Sequence, residues 1–138
     1  MYCLSLIVNI IVYKYNIMDG ADAVNYILQN NIEGCIIECG VESGNFEYIW
    51  INELMKNNSV RDIYMFDTFG GLVEPTEYDY TCNDAKLYQM NKDEVYNMWK
   101  SNIINEKVNQ WCYIPLDQVK HRLNLTGYPQ NNLHYVVG

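Results

Sequence analysis

Two short segments carry the residue types from which a binding site can be built. One is Glu38-Cys39-Gly40-Val41-Glu42-Ser43-Gly44; the other is the run Asp62 to Phe66, which ends at Asp67. Glycine lets a backbone turn sharply and approach a ligand closely. An acid at the end of a neighbouring strand can accept both hydroxyls of a ribose. In an open parallel sheet, ligands sit beyond the carboxyl ends of the strands, where both segments would lie. The chemistry they suggest is the holding of a nucleoside-containing cofactor.

Those residues need elements to position them. Gly20 to Gly34 predicts a helix, capped by Asp19 or Asp22 and ended by Asn30, Asn31 and Gly34. Cys35 to Cys39 is a short apolar run between glycines, as in a strand buried on both faces. Phe46 to Met55 predicts a helix with Phe46, Ile49, Trp50 and Leu54 on one side. Asp62 to Phe66 predicts a second strand, completing one βαβ unit. Thr68 to Asp84 reads as a loop and Ala85 to Asn102 as a helix. Pro115 to Leu125 reads as another helix, with Gly127 and Pro129 as its stop. Leu133 to Val137 is a third strand. The alternation predicts an α/β fold: a partial Rossmann-like parallel sheet, its first three strands flanked by helices.

The identity of the cofactor turns on charge. A dinucleotide site wants G-x-G-x-x-G with bare backbone facing a pyrophosphate. Here the loop is G-x-x-x-G, and Glu38 and Glu42 would repel phosphates. S-adenosylmethionine has no phosphate and carries a sulfonium and an ammonium, so acids suit it better. A nicotinamide oxidoreductase is the reading the acidic loop disfavours.

The whole-chain arithmetic narrows the class. The chain has 138 residues, which suits one domain. Its net charge of −8 argues against nucleic-acid binding through phosphate neutralisation. Five cysteines with no Cys-x-x-Cys pair argue against a disulfide framework or a zinc site and point to a reducing, cytoplasmic setting. Cys3 to Val12 is apolar but too short to span a bilayer as a helix, so a membrane role is disfavoured. Residues 1–18 either pack on the domain or stand apart from it, with Met18 as the natural start.

The segments Asn31 through Gly44, Ile63 to Leu72, Glu74 to Asp79, Trp111 to Leu116 and Thr126 to Pro129 resemble the macrocin O-methyltransferase family of class I methyltransferases. The run Phe66 to Leu72 with Pro75-Thr76 is the most specific part. The resemblance covers residues 19–138. It implies S-adenosylmethionine binding and methyl transfer to a sugar hydroxyl of a small molecule. It carries Glu38, Gly40, Val41, Ser43 and Gly44 onto the cofactor loop, with Asp67, Thr68 and Phe69 at the second strand end.

Two departures stand against the family pattern. After the Gly-Val step the family has an aromatic, a basic residue and Gly-Gly-Ser, where this chain has Glu42-Ser43-Gly44-Asn45-Phe46. The family's magnesium ligands and catalytic acid are aspartates after the third strand, and no such pair stands in residues 19–138. Residues 19–138 are therefore expected to be the N-terminal half of a methyltransferase-like domain, inactive alone and completed by a C-terminal half. No catalytic or metal-ligating residue is assigned. The rival expectation is a non-catalytic interaction module that binds a partner, or a second copy of itself, through the exposed sheet.

The remaining residues have plainer readings. Cys35 and Cys39, four apart on one strand face, are expected to be buried packing residues. Trp50, Trp99 and Trp111 are expected in the core or packed loops. His121 and His134 are expected at the surface or partly packed, with no partner that would make either a general base.

Overall fold

In the computed structural model, which describes residues 19–76 and 92–138, Asp19 opens the first helix, α1 (Gly20–Gln29). Its carboxylate accepts from the Asp22 amide at 2.9 Å, which makes Asp19 the N-cap of the two candidates that the sequence offers. The helix stops earlier than expected. The Asn30 side chain donates to the Tyr26 carbonyl, and Asn31 turns into the left-handed region. Strand β1 (Ile36–Cys39) follows, then α2 (Asn45–Lys56), β2 (Ile63–Asp67), α3 (Lys92–Ser101), β3 (Ile103–Asn105), β4 (Val108–Asn109), α4 (Leu116–Asn124), a 3-10 turn (Gln130–Asn132) and β5 (Leu133–Val137). None of the described helices is long and apolar enough to cross a membrane.

The chain divides into two compact units. Of the described residues, those up to Thr68 together with Leu116–Gly138 form one, and those within Phe69–Pro115 form the other. In the first unit, β1, β2 and β5 form a parallel sheet in that order, as an α/β fold requires. The rungs run Ile37–Tyr64–His134 and Cys39–Phe66–Val136, with Glu38–Met65–Tyr135 between them. Side chains alternate between faces, so these rungs sort the sheet into two sides.

One face is covered. Ile36, Ile63, Met65 and Leu133 are buried against α2 and α4, which supply Trp50, Ile51, Leu54, Val119 and Leu123. α1 packs on α2, where Val24 and Ile27 are buried and Asn25 donates to Glu53. Gly20 is the small residue at that crossing: a Cβ there would come within 3.0 Å of the Trp50 Nε1. The Tyr128 hydroxyl accepts from the Arg61 amide and donates to the Arg61 carbonyl, tying the segment before β5 to the start of β2.

The other face is open. Cys39, Phe66 and Val136 are exposed, and Ile37, Tyr64 and His134 are half-buried. His134 stacks on Tyr64 with ring centroids 4.3 Å apart, and its Nε2 lies 2.9 Å from Asp62 Oδ1. Cys35 and Cys39 belong to this side. The expectation that both are buried is corrected: Cys39 is exposed and Cys35 half-buried, because their shared face is the open one.

The α2 stripe also differs from the sequence expectation. Trp50 and Leu54 are buried as predicted, whereas Phe46 and Ile49 are exposed and Glu47 and Ile51 take the inward places. The inward face is rotated, which brings a carboxyl group into the core.

In the second unit, α3 covers the C-terminal part of the predicted helix; residues 85–91 of that prediction, and residues 77–84 of the predicted loop, lie outside the described residues. An antiparallel hairpin of β3 and β4 follows, which the sequence reading did not anticipate. Buried Asn109 organises this unit. Its side chain donates to the Trp99 carbonyl and accepts from the Trp111 amide, and its own amide donates to the Gly70 carbonyl. The chain passes so close that a Cβ on Gly71 would stand 1.9 Å from the Asn109 carbonyl oxygen. Trp99 and Trp111 are half-buried here, in keeping with a packing role.

Candidate functional site

The loop after β1 is built by backbone geometry and fastened by one acid. Gly40 takes a φ of +88°, and its amide donates to the Phe66 carbonyl at 2.8 Å. Gly44 takes +72° and serves as the N-cap of α2 without any side-chain hydrogen bond. Glycine meets both needs, since a Cβ is disfavoured at positive φ. At Gly44 it also makes room: a Cβ would lie 3.1 Å from Val119 Cγ1. At Gly40 a Cβ would meet nothing within 4 Å, so the loop opens to space there.

Asp67 closes this arrangement. Its Oδ2 accepts from the Val41 amide at 2.7 Å and from the Glu42 amide at 3.0 Å. Charge-assisted bonds of this kind are short and about twice as strong as neutral ones. The carboxylate at the end of β2 thus fixes the loop that leaves β1. Glu42 is held at a φ of +50°, a conformation uncommon outside glycine. Val41 is buried, and the Ser43 carbonyl accepts from Arg122 of α4 at 3.4 Å.

The structure therefore brings Glu38, Gly40, Val41, Ser43, Gly44 and Asp67 together at the carboxyl ends of two adjacent strands. Thr68 follows Asp67 as the last residue of that stretch of the first unit. Phe69 is buried, with a φ of +49°, and begins the second unit.

Beneath the loop lies a pair the sequence reading half missed. Glu38 is 9% exposed and Glu47, in the first turn of α2, is fully buried. The two carboxyl groups face each other at hydrogen-bonding range. Burial raises the pKa of each above the ordinary carboxylate range; for Glu38, Glu47 and the charge of Asp67 add to the rise. For Glu47 the nearby Arg122 opposes the rise without cancelling it. Glu38 Oε2 and both Glu47 oxygens meet no N–H or O–H donor. The Tyr135 hydroxyl on β5 is likewise without a partner, and burial pushes it up to about 12. The signal for Glu47 was its place three residues after Gly44, in a helix whose inward face a rotation would bring round.

Among the described residues, no three His, Cys, Asp or Glu side chains gather so as to hold a metal ion. The lining consists of acids, carbonyls and glycine backbone, which suits a ligand bearing hydroxyls and positive charge.

Comparison with known proteins agrees with this architecture. The solved structure of the O-methyltransferase NovP superposes with a TM-score of 0.62 at 16% identity, over 86% of this chain and 43% of that one. The chain thus spans less than half the length of that relative, and the likeness is one of fold. No curated protein matches the chain significantly. Residues 12–135 match the description of the macrocin O-methyltransferase (TylF) family, and since this is nearly the whole sequence, the chain belongs to that family.

Proposed function

We propose that this chain provides the S-adenosylmethionine-binding part of an O-methyltransferase, with Glu38, Gly40, Val41, Ser43, Gly44, Asp67, Thr68 and Phe69 as the cofactor-binding residues. The observation that carries the reading is the clamp of Asp67 on the Val41 and Glu42 amides, which holds an acid-lined loop at the carboxyl ends of adjacent strands. The family supplies the expectation of methyl transfer, and the residues present fit the cofactor. Buried carboxyl oxygens without donors suit its ammonium, and open space over Gly40 leaves the backbone free to approach it. When bound, the cofactor supplies an electrophilic methyl group. Asp67 would orient the loop and the ribose, and Glu38 would face the positive charge.

The acceptor is a small-molecule hydroxyl, by the family's chemistry. Methyl transfer would require a complementing half packed on the open sheet face, together with its magnesium-binding aspartates. The exposed Phe66 and Val136 support that requirement. They equally favour a second reading, a non-catalytic module that binds a partner through this face.

Ligand-induced stabilisation tests the proposal. At a hundredfold excess over Kd, S-adenosylmethionine should stabilise the chain by about 2.7 kcal/mol. Asp67→Ala should abolish the effect, and a nicotinamide dinucleotide should give none. No stabilisation of the wild-type chain by the cofactor would leave the partner-binding reading in its place.

A further inference from the structure

Buried carboxyl groups normally find an N–H donor, a cation or a proton. Glu38 and Glu47 have no ion pair in the described residues. Three of their oxygens meet no donor. Arg122, whose charge acts on Glu47, directs its guanidinium to the Ser43 carbonyl and the Tyr48 ring. Asp67 from β2 and Cys39 from β1 add negative or neutral character around Glu38. Tyr135 from β5 faces Glu47, and Lys120 from α4 lies over its ring, 5.3 Å from the centroid. Two full negative charges side by side in this place would repel each other, and the charge of Arg122 offsets that only in part.

We propose that Glu38 and Glu47 share one proton in the ligand-free chain and release it to solvent when the positive charge of a cationic ligand docks against Glu38. The balance is simple. The pair passes from one negative charge to two, the ligand brings one positive charge, and one proton leaves. The N–H groups of an ammonium would then supply the donor that Glu38 Oε2 lacks. Glu47 touches the ligand only through Glu38, so it acts as a positioning residue that sets the proton inventory of the site. This inference rests on the cofactor reading above and deepens it: binding is linked to pH, and a ligand without an ammonium group would gain less than one that carries it.

The test is calorimetric titration of the wild-type chain with S-adenosylmethionine, in buffers of differing ionisation enthalpy. Near neutral pH the dependence on buffer should report about one proton released per ligand, with affinity rising up to tenfold per pH unit. S-adenosylhomocysteine, which keeps the ammonium and lacks the sulfonium, should release the same proton. Infrared spectra of the ligand-free wild-type chain at about pH 8 should retain the carbonyl stretch of a protonated carboxyl group. That band should vanish on adding the cofactor and be absent from the Glu38→Gln/Glu47→Gln chain. Binding with no dependence on buffer, or no such band in the wild-type chain, overturns the shared proton and leaves the cofactor reading standing. Absence of binding overturns both.

Discussion

The two faces of the three-stranded sheet are made from the same strands, yet they behave as different materials. On the covered face, Ile36, Ile63 and Met65 are wholly buried; one residue along each strand, Ile37, Tyr64 and Phe66 are half-buried or exposed. The covered face also holds the acid pair, largely shielded from water, and the open face holds Asp62 and His134 in partial contact with it. Burial, not residue type, decides what each side chain contributes. An apolar side chain on the covered face stabilises by exclusion from water, and an ionisable one there acquires an altered proton affinity.

The comparison can be broken most forcefully at Ile63. Ile63→Ala should lose about 2–5 kcal/mol of unfolding free energy, read by urea denaturation. A loss as small as that of an exposed residue would mean that α2 and α4 do not cover this face in solution.

The acid pair gives the next effect. Glu38 has a folded pKa raised from 4.5, so above that value the folded chain holds a proton that the unfolded chain lacks. Its contribution therefore falls as pH rises through and beyond 4.5. Glu38→Gln should flatten this decline and stabilise the chain by about 1–2 kcal/mol at pH near 8. Equal pH profiles for the two chains would remove the pair from the covered core.

The open face should respond with the opposite sign and less strongly. The hydrogen bonds from His134 and Asn132 hold Asp62 below its ordinary pKa of 3.8. Its contribution is present above that value and lost as pH falls through the lowered one. Asp62→Asn should therefore lower stability modestly at neutral pH, with the difference vanishing as pH falls through the acid limb, read by urea denaturation at each pH.

The smallest effect is expected at Val136. Val136→Thr keeps the branched shape on an exposed strand position and should change stability by less than about 0.5 kcal/mol. A larger loss, with a change in sedimentation, would mean that this face is covered by a second copy in solution. Brief alkylation followed by peptide mass analysis sharpens the contrast further: exposed Cys39 should react before half-buried Cys35.

Much of the covered face was legible in the sequence, because its signals are local. Asp19 before an apolar stripe gives the start of α1, and the runs at Cys35 and Asp62 give β1 and β2. Asp67 was legible as the acid at a strand end, although its bonds to the Val41 and Glu42 amides are a long-range fact that spacing does not encode. Glu47 was illegible for a physical reason: charge normally marks a solvent face, so Phe46 was the natural inward choice. Cys35 and Cys39 misled in the reverse direction, since small apolar residues say nothing of whether a second layer covers them. The β3–β4 hairpin is two to three residues per strand with exposed Ile103 and Ile104, too short to show a period.

Gly71 carries a consequence for heredity. Every single-base change in a glycine codon is either silent, a stop, or the introduction of a residue with a Cβ. At this position that atom would stand 1.9 Å from the Asn109 carbonyl oxygen, a backbone atom that cannot swing aside. The crossing before the hairpin is therefore closed to stepwise drift. A lineage can alter the exposed Ile103 and Ile104 one nucleotide at a time, but at Gly71 a missense mutation is tolerated only once the backbone around Asn109 has already been rebuilt.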